Sequence, residues 1–251
     1  MSVLLLKLAG PLQSWGADSR FTERKTRHEP TKSGVIGLLA AALGRRRTEP
    51  VDDLASLCFG VRIDQPGHYE CDFQTEHTRV WDKPSARWAF KEGLPLSHRY
   101  YLADAVFVAA LEGDEAILHW CAESLVRPAF PLFLGRRACP PSTKVLLGLE
   151  EGVNLLDALR NTPWQASERY QFRHRRDSVI TLEILYDQGL GQTDGGETVR
   201  DVPLSFSQAK REYSWRLVSH DSVTVQNPLY RSGVPEHETW QIGRASCRER
   251  V

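Results

Sequence analysis

The sequence predicts an α+β fold in the ferredoxin-like, RRM-like order βαββαβ, and three observations carry that expectation. Residues 2–8 form a short apolar run closed by Gly10 and Pro11, residues 31–43 carry apolar side chains at helical spacing, and residues 101–111 and 114–127 repeat the strand-then-helix order. The first run, Ser-Val-Leu-Leu-Leu-Lys-Leu, is apolar on both faces, as expected of a buried central strand. After Pro30, Thr31 or Ser33 is a candidate N-cap, and Val35, Leu38, Leu39, Ala42 and Leu43 share one helical face. Gly44 ends that helix, with Arg45, Arg46 and Arg47 just beyond, where cations suit the C-terminal dipole. Gly34 and Gly37 cost the helix roughly 1 kcal/mol each relative to Ala, which makes sense if a backbone or ligand comes close.

Residues 57–63 read as a second strand, closed by the turn 64–67. From 68 to 100 the chain is polar, aromatic and turn-rich, with too little apolar content for its own core. An inserted β-hairpin or arm at about 66–100 is expected. Residues 101–111 are the strongest strand. In 114–127, Ile117, Leu118, Cys121 and Leu125 line one helical face before Pro128 stops it. A fourth strand belongs somewhere in 130–149. Beyond 151 a short helix (153–159) and strands at 179–186 and 215–218 are expected, with a loop at 189–196. The expected organisation is a domain over 1–150 that carries the insertion and a small β-rich part over 151–241. The last ten residues, 242–251, read as a translated sequencing adapter and not as native protein.

With 41% hydrophobic and 25% charged residues, the 251-residue chain has the composition of a soluble globular protein. It lacks a run of the roughly 20 apolar residues that a bilayer span needs and has no basic signal-peptide start, so a cytoplasmic location without membrane partners is expected. Cys58, Cys71, Cys121, Cys139 and Cys247 are spaced too irregularly for a zinc knuckle or a disulfide framework. The net charge is 0, and without 242–251 it becomes −2, from 29 basic and 31 acidic residues. That balance argues against a nonspecific nucleic-acid binder but leaves room for a local basic groove.

Such a groove is suggested by charge segregation: Arg20, Arg24, Lys25 and Arg27 precede the helix opened by Lys32, Ser33 and Gly34. The first N–H groups of a helix lack partners and carry partial positive charge, so a phosphate backbone is the expected occupant. Trp15, in the Gly/Pro turn before this loop, is an aromatic candidate. Gly135 allows close backbone approach, and Arg136 and Arg137 can grip phosphates. Trp81 and Trp88, near Arg79 and Arg87, either stack on bases or pack the arm. No phosphate-loop, dinucleotide, zincin or nucleophile-elbow pattern is present, and no two histidines stand at i, i+4, so no cofactor and no metal are expected.

Four ordered motifs carry a family resemblance. They are Leu-Ala-Gly-Pro-Leu-Gln-Ser-Trp-Gly at 8–16, Pro-Thr-Lys-Ser-Gly at 30–34 leading into Gly-Leu-Leu-Ala-Ala-Ala-Leu-Gly at 37–44, Tyr-Leu-Ala-Asp-Ala-Val-Phe-Val-Ala at 101–109, and Phe-Leu-Gly-Arg-Arg-Ala-Cys-Pro at 133–140. Together they resemble the CasD subunits of type I-E CRISPR Cascade complexes, in the RAMP superfamily. The resemblance implies a modified ferredoxin-like domain with a thumb-like hairpin and a small C-terminal part. It also implies a noncatalytic role: holding the 5′ handle of the CRISPR RNA (crRNA) at one end of the complex. Implied partners are the backbone subunit and the large subunit that reads the PAM, with target DNA reached only indirectly. The Lys32–Ser33–Gly34 helix start and the Arg136–Arg137 loop become candidate handle contacts, and the Trp/Arg arm becomes the thumb. The alternative is a metal-independent endoribonuclease of the same superfamily, with His28, near Lys25 and Lys32, as general base.

Overall fold

The computed structural model describes residues 2–16, 22–75, 77–93, 96–189 and 196–232. Arg20, the 242–251 tail and most of the expected 189–196 loop lie outside the described residues. Strand β1 (Ser2–Ala9) is followed by two short strands, β2 (Leu12–Gln13) and β3 (Glu23–Arg24), then by helix α1 (Lys32–Ala42). Thr31 caps α1 through its hydroxyl, which accepts from the Gly34 N–H at 3.2 Å, and Gly44 turns the chain away with φ +79°. A single turn, α2 (Asp52–Ala55), leads into β4 (Cys58–Gln65).

The inserted arm comprises β5 (His68–Gln74), β6 (His77–Asp82), β7 (Arg87–Gly93) and β8 (Ser97–Ala103). Then come β9 (Val106–Gly113) and α3 (Glu115–Val126), whose first turn is capped by Asp114 accepting from the Ile117 N–H at 3.0 Å. Pro128, Pro131, Pro140 and Pro141 remove donors along the next stretch, so the fourth main strand, β10 (Leu146–Glu151), begins only at the end of the expected window. The remaining elements are α4 (Leu155–Asn161), α5 (Glu168–Arg173), β11 (Val179–Asp187), β12 (Glu197–Ser205) and β13 (Glu212–Gln226).

The main sheet runs β10-β1-β9-β4-β11-β13-β12 with every neighbouring pair antiparallel. β1 stands second from one edge, paired on both sides by β10 and β9, and its alternate residues feed two cores. Leu4, Leu6 and Leu8 pack beneath α1 and α3 with Phe107, Val35, Leu39 and Leu118, whereas Val3 and Leu5 meet Leu155, Ala158 and Leu159 of α4 on the opposite face. The C-terminal strands join this sheet through β11, which pairs with β4 at Ile184↔Arg62, Leu185↔Val61 and Tyr186↔Gly60.

At that seam lies a buried ion pair that the sequence did not signal. Arg62 donates to both carboxylate oxygens of Asp64 (2.7 and 2.9 Å) and to the carbonyls of Leu159, Thr162 and Pro163 at 2.6, 2.6 and 3.0 Å. These bonds satisfy the fork and cover carbonyls left open at the C-terminal end of α4.

The arm has its own sheet. β8 pairs with β5 on one side and, on the other, with β2 (antiparallel) and β3 (parallel), while β6 and β7 pair only with each other farther along the arm. Every residue of β5 is exposed.

Candidate nucleic-acid interface

Three chain segments meet at the base of the arm, and Gly135 determines how. Its φ is +84°, and a Cβ there would lie 1.7 Å from the Ser14 carbonyl oxygen, so only glycine fits. The Ser14 N–H donates to the Leu134 carbonyl (3.1 Å), and the Leu134 N–H donates to Cys139 (2.7 Å), keying the 133–139 loop onto the 14–16 turn. That turn holds the 22–27 segment in its place: the Trp15 N–H donates to the Thr26 hydroxyl at 2.8 Å and the Arg27 N–H to the Trp15 carbonyl at 2.9 Å. On the far side, the His98 N–H of β8 donates to the Thr22 carbonyl at 2.7 Å.

Arg136 ties the junction together. Its guanidinium donates to the carbonyls of Tyr100 (3.2 Å), Arg24 (2.7 Å) and Lys25 (3.4 Å) and lies 4.9 Å from the centre of the Tyr101 ring. The Ser14 hydroxyl shares the Tyr100 carbonyl at 3.2 Å. The result is a ridge on which Arg24, Lys25 and Arg137 are exposed, flanked by half-buried Arg27, which pairs with Glu29 at 3.3 Å.

Two expectations about this region need correction. Trp15 is fully buried, its indole N–H donating to Gln13 at 3.1 Å, and it offers no face to a base. Gly34 is small for the sake of that ring, since a Cβ there would come within 2.7 Å of it.

The α1 start is occupied by the protein's own carboxylate. The Lys32 backbone N–H donates to Asp201 (2.8 Å), and the Lys32 ammonium, only 7% exposed, pairs with Asp187 at 2.9 Å. Arg216 completes the cluster, donating to Asp201 at 2.6 and 3.0 Å and to Asp187 at 2.6 Å, while Asp187 also accepts from the Phe59 N–H at 3.0 Å. Burial opposes the Arg216 charge, yet the two carboxylates hold its pKa above the ordinary value. Lys32 is therefore a strut between α1 and β11, and Ser33 bonds only weakly to Thr31 (3.4 Å). The helix start does hold an anion, but it is the carboxylate of Asp201, which with Asp187 lies more than 150 residues away in the chain.

Arg79 and Trp81 sit on β6, in the outer part of the arm and not on the ridge. Trp81 and Trp88 are cross-strand partners whose ring centres stand 5.6 Å apart, edge to face, with 49% and 63% of each residue exposed. His28 is exposed with its ring 4.7 Å from that of Tyr69, and Lys32 is committed elsewhere. Among the described residues, Glu115, His119 and Glu151 bring one ligand atom each within 4.8 Å of one another, all at the surface, where carboxylates commonly stand without an ion.

The sequence profile of the family described as CRISPR-associated protein (Cas_Cas5) matches residues 3–219, from β1 into β13. The chain belongs to the Cas5 family. Within that family it is 31% identical over 202 residues to the CRISPR system Cascade subunit CasD of Escherichia coli K12, covering 72% of this chain and 90% of the relative. It is also similar to two solved structures. One, described as a crystal structure of a Cas protein, is 35% identical with a TM-score of 0.66 over 93% of this chain and 100% of the other. The other is a chain of a CRISPR RNA-guided surveillance complex, 32% identical with a TM-score of 0.72 over 91% and 92%. The Cas5-family match thus spans the ridge, the arm and the strands carrying Asp187, Asp201 and Arg216.

Proposed function

We propose that this Cas5-family chain is a CasD-type subunit of a Cascade surveillance complex, which holds the 5′ handle of the crRNA and caps one end of the assembly in antiviral defence. The observation that carries the reading is the 31% identity to a CasD subunit across 90% of that subunit's length. The basic ridge supports it: Arg24, Lys25 and Arg137 supply exposed cations at a junction where loop backbones already lie close. On this reading the arm is the thumb, presenting Arg79, Trp81 and Trp88 to the handle or the first guide nucleotides. Its neighbours are the backbone subunit and the large PAM-reading subunit, and target DNA is met only through the complex. The setting is the cytoplasm, in keeping with described helices too short or polar to cross a membrane. We read β1, α1, β4, β9, α3 and β10 as a modified ferredoxin-like unit over 1–150, since β10-β1-β9-β4 is the antiparallel strand order of βαββαβ. We read the described residues 151–189 and 196–232 as its β-rich extension, and 242–251 as a non-native tail.

The role is noncatalytic. Of the two lysines near His28 in sequence, Lys32 is buried against Asp187, which leaves Lys25 on the exposed ridge as the one a His28-based ribonuclease would need to stabilise the phosphorane. Incubating the purified chain with its host's CRISPR repeat RNA in EDTA tests this. Handle-dependent binding of intact RNA is expected, and cleavage that disappears in His28→Ala would overturn the noncatalytic role.

A further inference from the structure

We infer, on the reading that the ridge holds crRNA, that Arg136 is a positioning residue that presents Arg24 and Lys25 to the RNA and is not itself a phosphate contact. The guanidinium faces inward onto protein carbonyls, donating to Tyr100, Arg24 and Lys25 while its plane lies near the Tyr101 ring. The segment it holds has little else to fix it there. β3 is two residues long, both exposed, and its ladder to β8 consists of Glu23↔His98 and Arg24↔Arg99. Thr26 and Arg27 are anchored to the Trp15 backbone, but at residues 24 and 25 the Arg136 fork supplies the tie.

The base of that fork is equally constrained, because Gly135 seats against Ser14 where no side chain fits. Turn, loop and strand are thus cross-linked through one planar group with donors on both arms. A lysine carries the same charge but has no fork to span carbonyls of two segments. The neighbouring Arg137 is exposed and free of this geometry, so two adjacent arginines have different tasks.

The test is a titration of the full chain with fluorescein-labelled host repeat RNA at several salt concentrations. Arg137→Ala, Arg136→Ala, Arg136→Lys and a double Arg24→Ala/Lys25→Ala are compared with wild type. Removing one phosphate contact lowers the slope of log K against log salt by about 0.7, as expected for Arg137→Ala. Arg136→Ala is expected to lower it by roughly twice that, since two cations lose their placement. Arg136→Lys should fail to rescue, and adding Arg136→Ala to the Arg24/Lys25 double should cost less than threefold more. Rescue by Lys, a slope change of a single contact, or independent effects would overturn the proposal. Amide exchange without RNA reads the positioning separately: Arg136→Ala should speed exchange at His98, whose N–H is held by the Thr22 carbonyl across the β3–β8 ladder, at least tenfold, and unchanged exchange there would refute it. Wild-type chain that does not bind the repeat RNA would instead refute the handle-holding function.

Discussion

Replacing Arg216 by Met should be among the most damaging single changes in this protein, although the residue touches neither ridge nor arm. Arg216 makes hydrogen bonds of 2.6, 2.6 and 3.0 Å to two carboxylates, and the side chains of Arg216, Asp187 and Asp201 are 11%, 14% and 4% exposed. Without it, Asp187 and Asp201 share the single ammonium of Lys32, which leaves one uncompensated negative charge in a nearly closed site. Removing one partner of a buried ion pair typically costs about 3–5 kcal/mol. A domain is stable by roughly 5–15 kcal/mol in all. At about 2–4 °C per kcal/mol for a chain of this size, Tm should fall by roughly 6–20 °C. Removing Asp201 as well, in Arg216→Met/Asp201→Asn, leaves the Lys32–Asp187 pair balanced. The double variant should be more stable than additivity of the singles requires, by about 1 kcal/mol or more. Urea titrations followed by circular dichroism measure all four corners of the cycle. A cost below 1 kcal/mol for Arg216→Met, or strict additivity, would refute the view that this cluster fastens the C-terminal strands to α1.

Other perturbations follow from the same contacts. Gly135→Ala forces a Cβ to 1.7 Å from the Ser14 carbonyl, so the 133–139 loop must move; a loss of about 2 kcal/mol or more and weakened RNA binding are expected in melts and titrations. Trp15→Ala should cost about 3–5 kcal/mol as a core truncation, whereas Trp81→Ala and Trp88→Ala at the exposed pair should stay within about 1 kcal/mol and affect RNA affinity instead. A thiol reagent at pH 8 should label Cys71 promptly, Cys58 more slowly because burial and the nearby Asp187 raise its thiol pKa, and Cys121 and Cys139 only on unfolding. Burial pushes the Cys121 thiol up from about 9 to about 11, so its share of stability is complete below pH 9 and is lost as pH rises towards 11. Stability of Cys121→Ala should therefore fall less over that window than that of wild type.

The parts legible in the sequence were those whose information is local. β1, α1 and α3 announce themselves by apolar density and periodicity, and β11 ends within a residue of its expected C-terminal end. The single strand expected over 101–111, however, divides at Asp104 (φ +56°), with 101–103 closing β8 in the arm sheet and 106–111 opening β9 in the main sheet. β12 was missed because Arg200, Asp201 and Pro203 read as loop; its strand form comes from pairing along β13, with Val199 and Asp201 turned inward. β13 was foreseen only at 215–218 because most of its 15 residues alternate weakly between polar and apolar.

At the candidate site, the close backbone approach expected of Gly135 occurs, but against Ser14 and not a ligand, and Arg136, expected to grip phosphates, donates instead to the carbonyls of Tyr100, Arg24 and Lys25. The misreadings of Trp15 and Lys32 have a single cause: local composition shows an exposed-looking basic loop, whereas burial and the carboxylates of Asp187 and Asp201 come from the other end of the chain.

The most direct measurement is nuclease footprinting of crRNA in a complex reconstituted with wild-type chain or with the Arg24→Ala/Lys25→Ala/Arg137→Ala variant. Handle-holding predicts that the wild type protects the 5′ handle and leaves it uncut, with protection lost in the variant and the guide footprint retained. Equal protection with the variant, or protection confined to the guide, would contradict it.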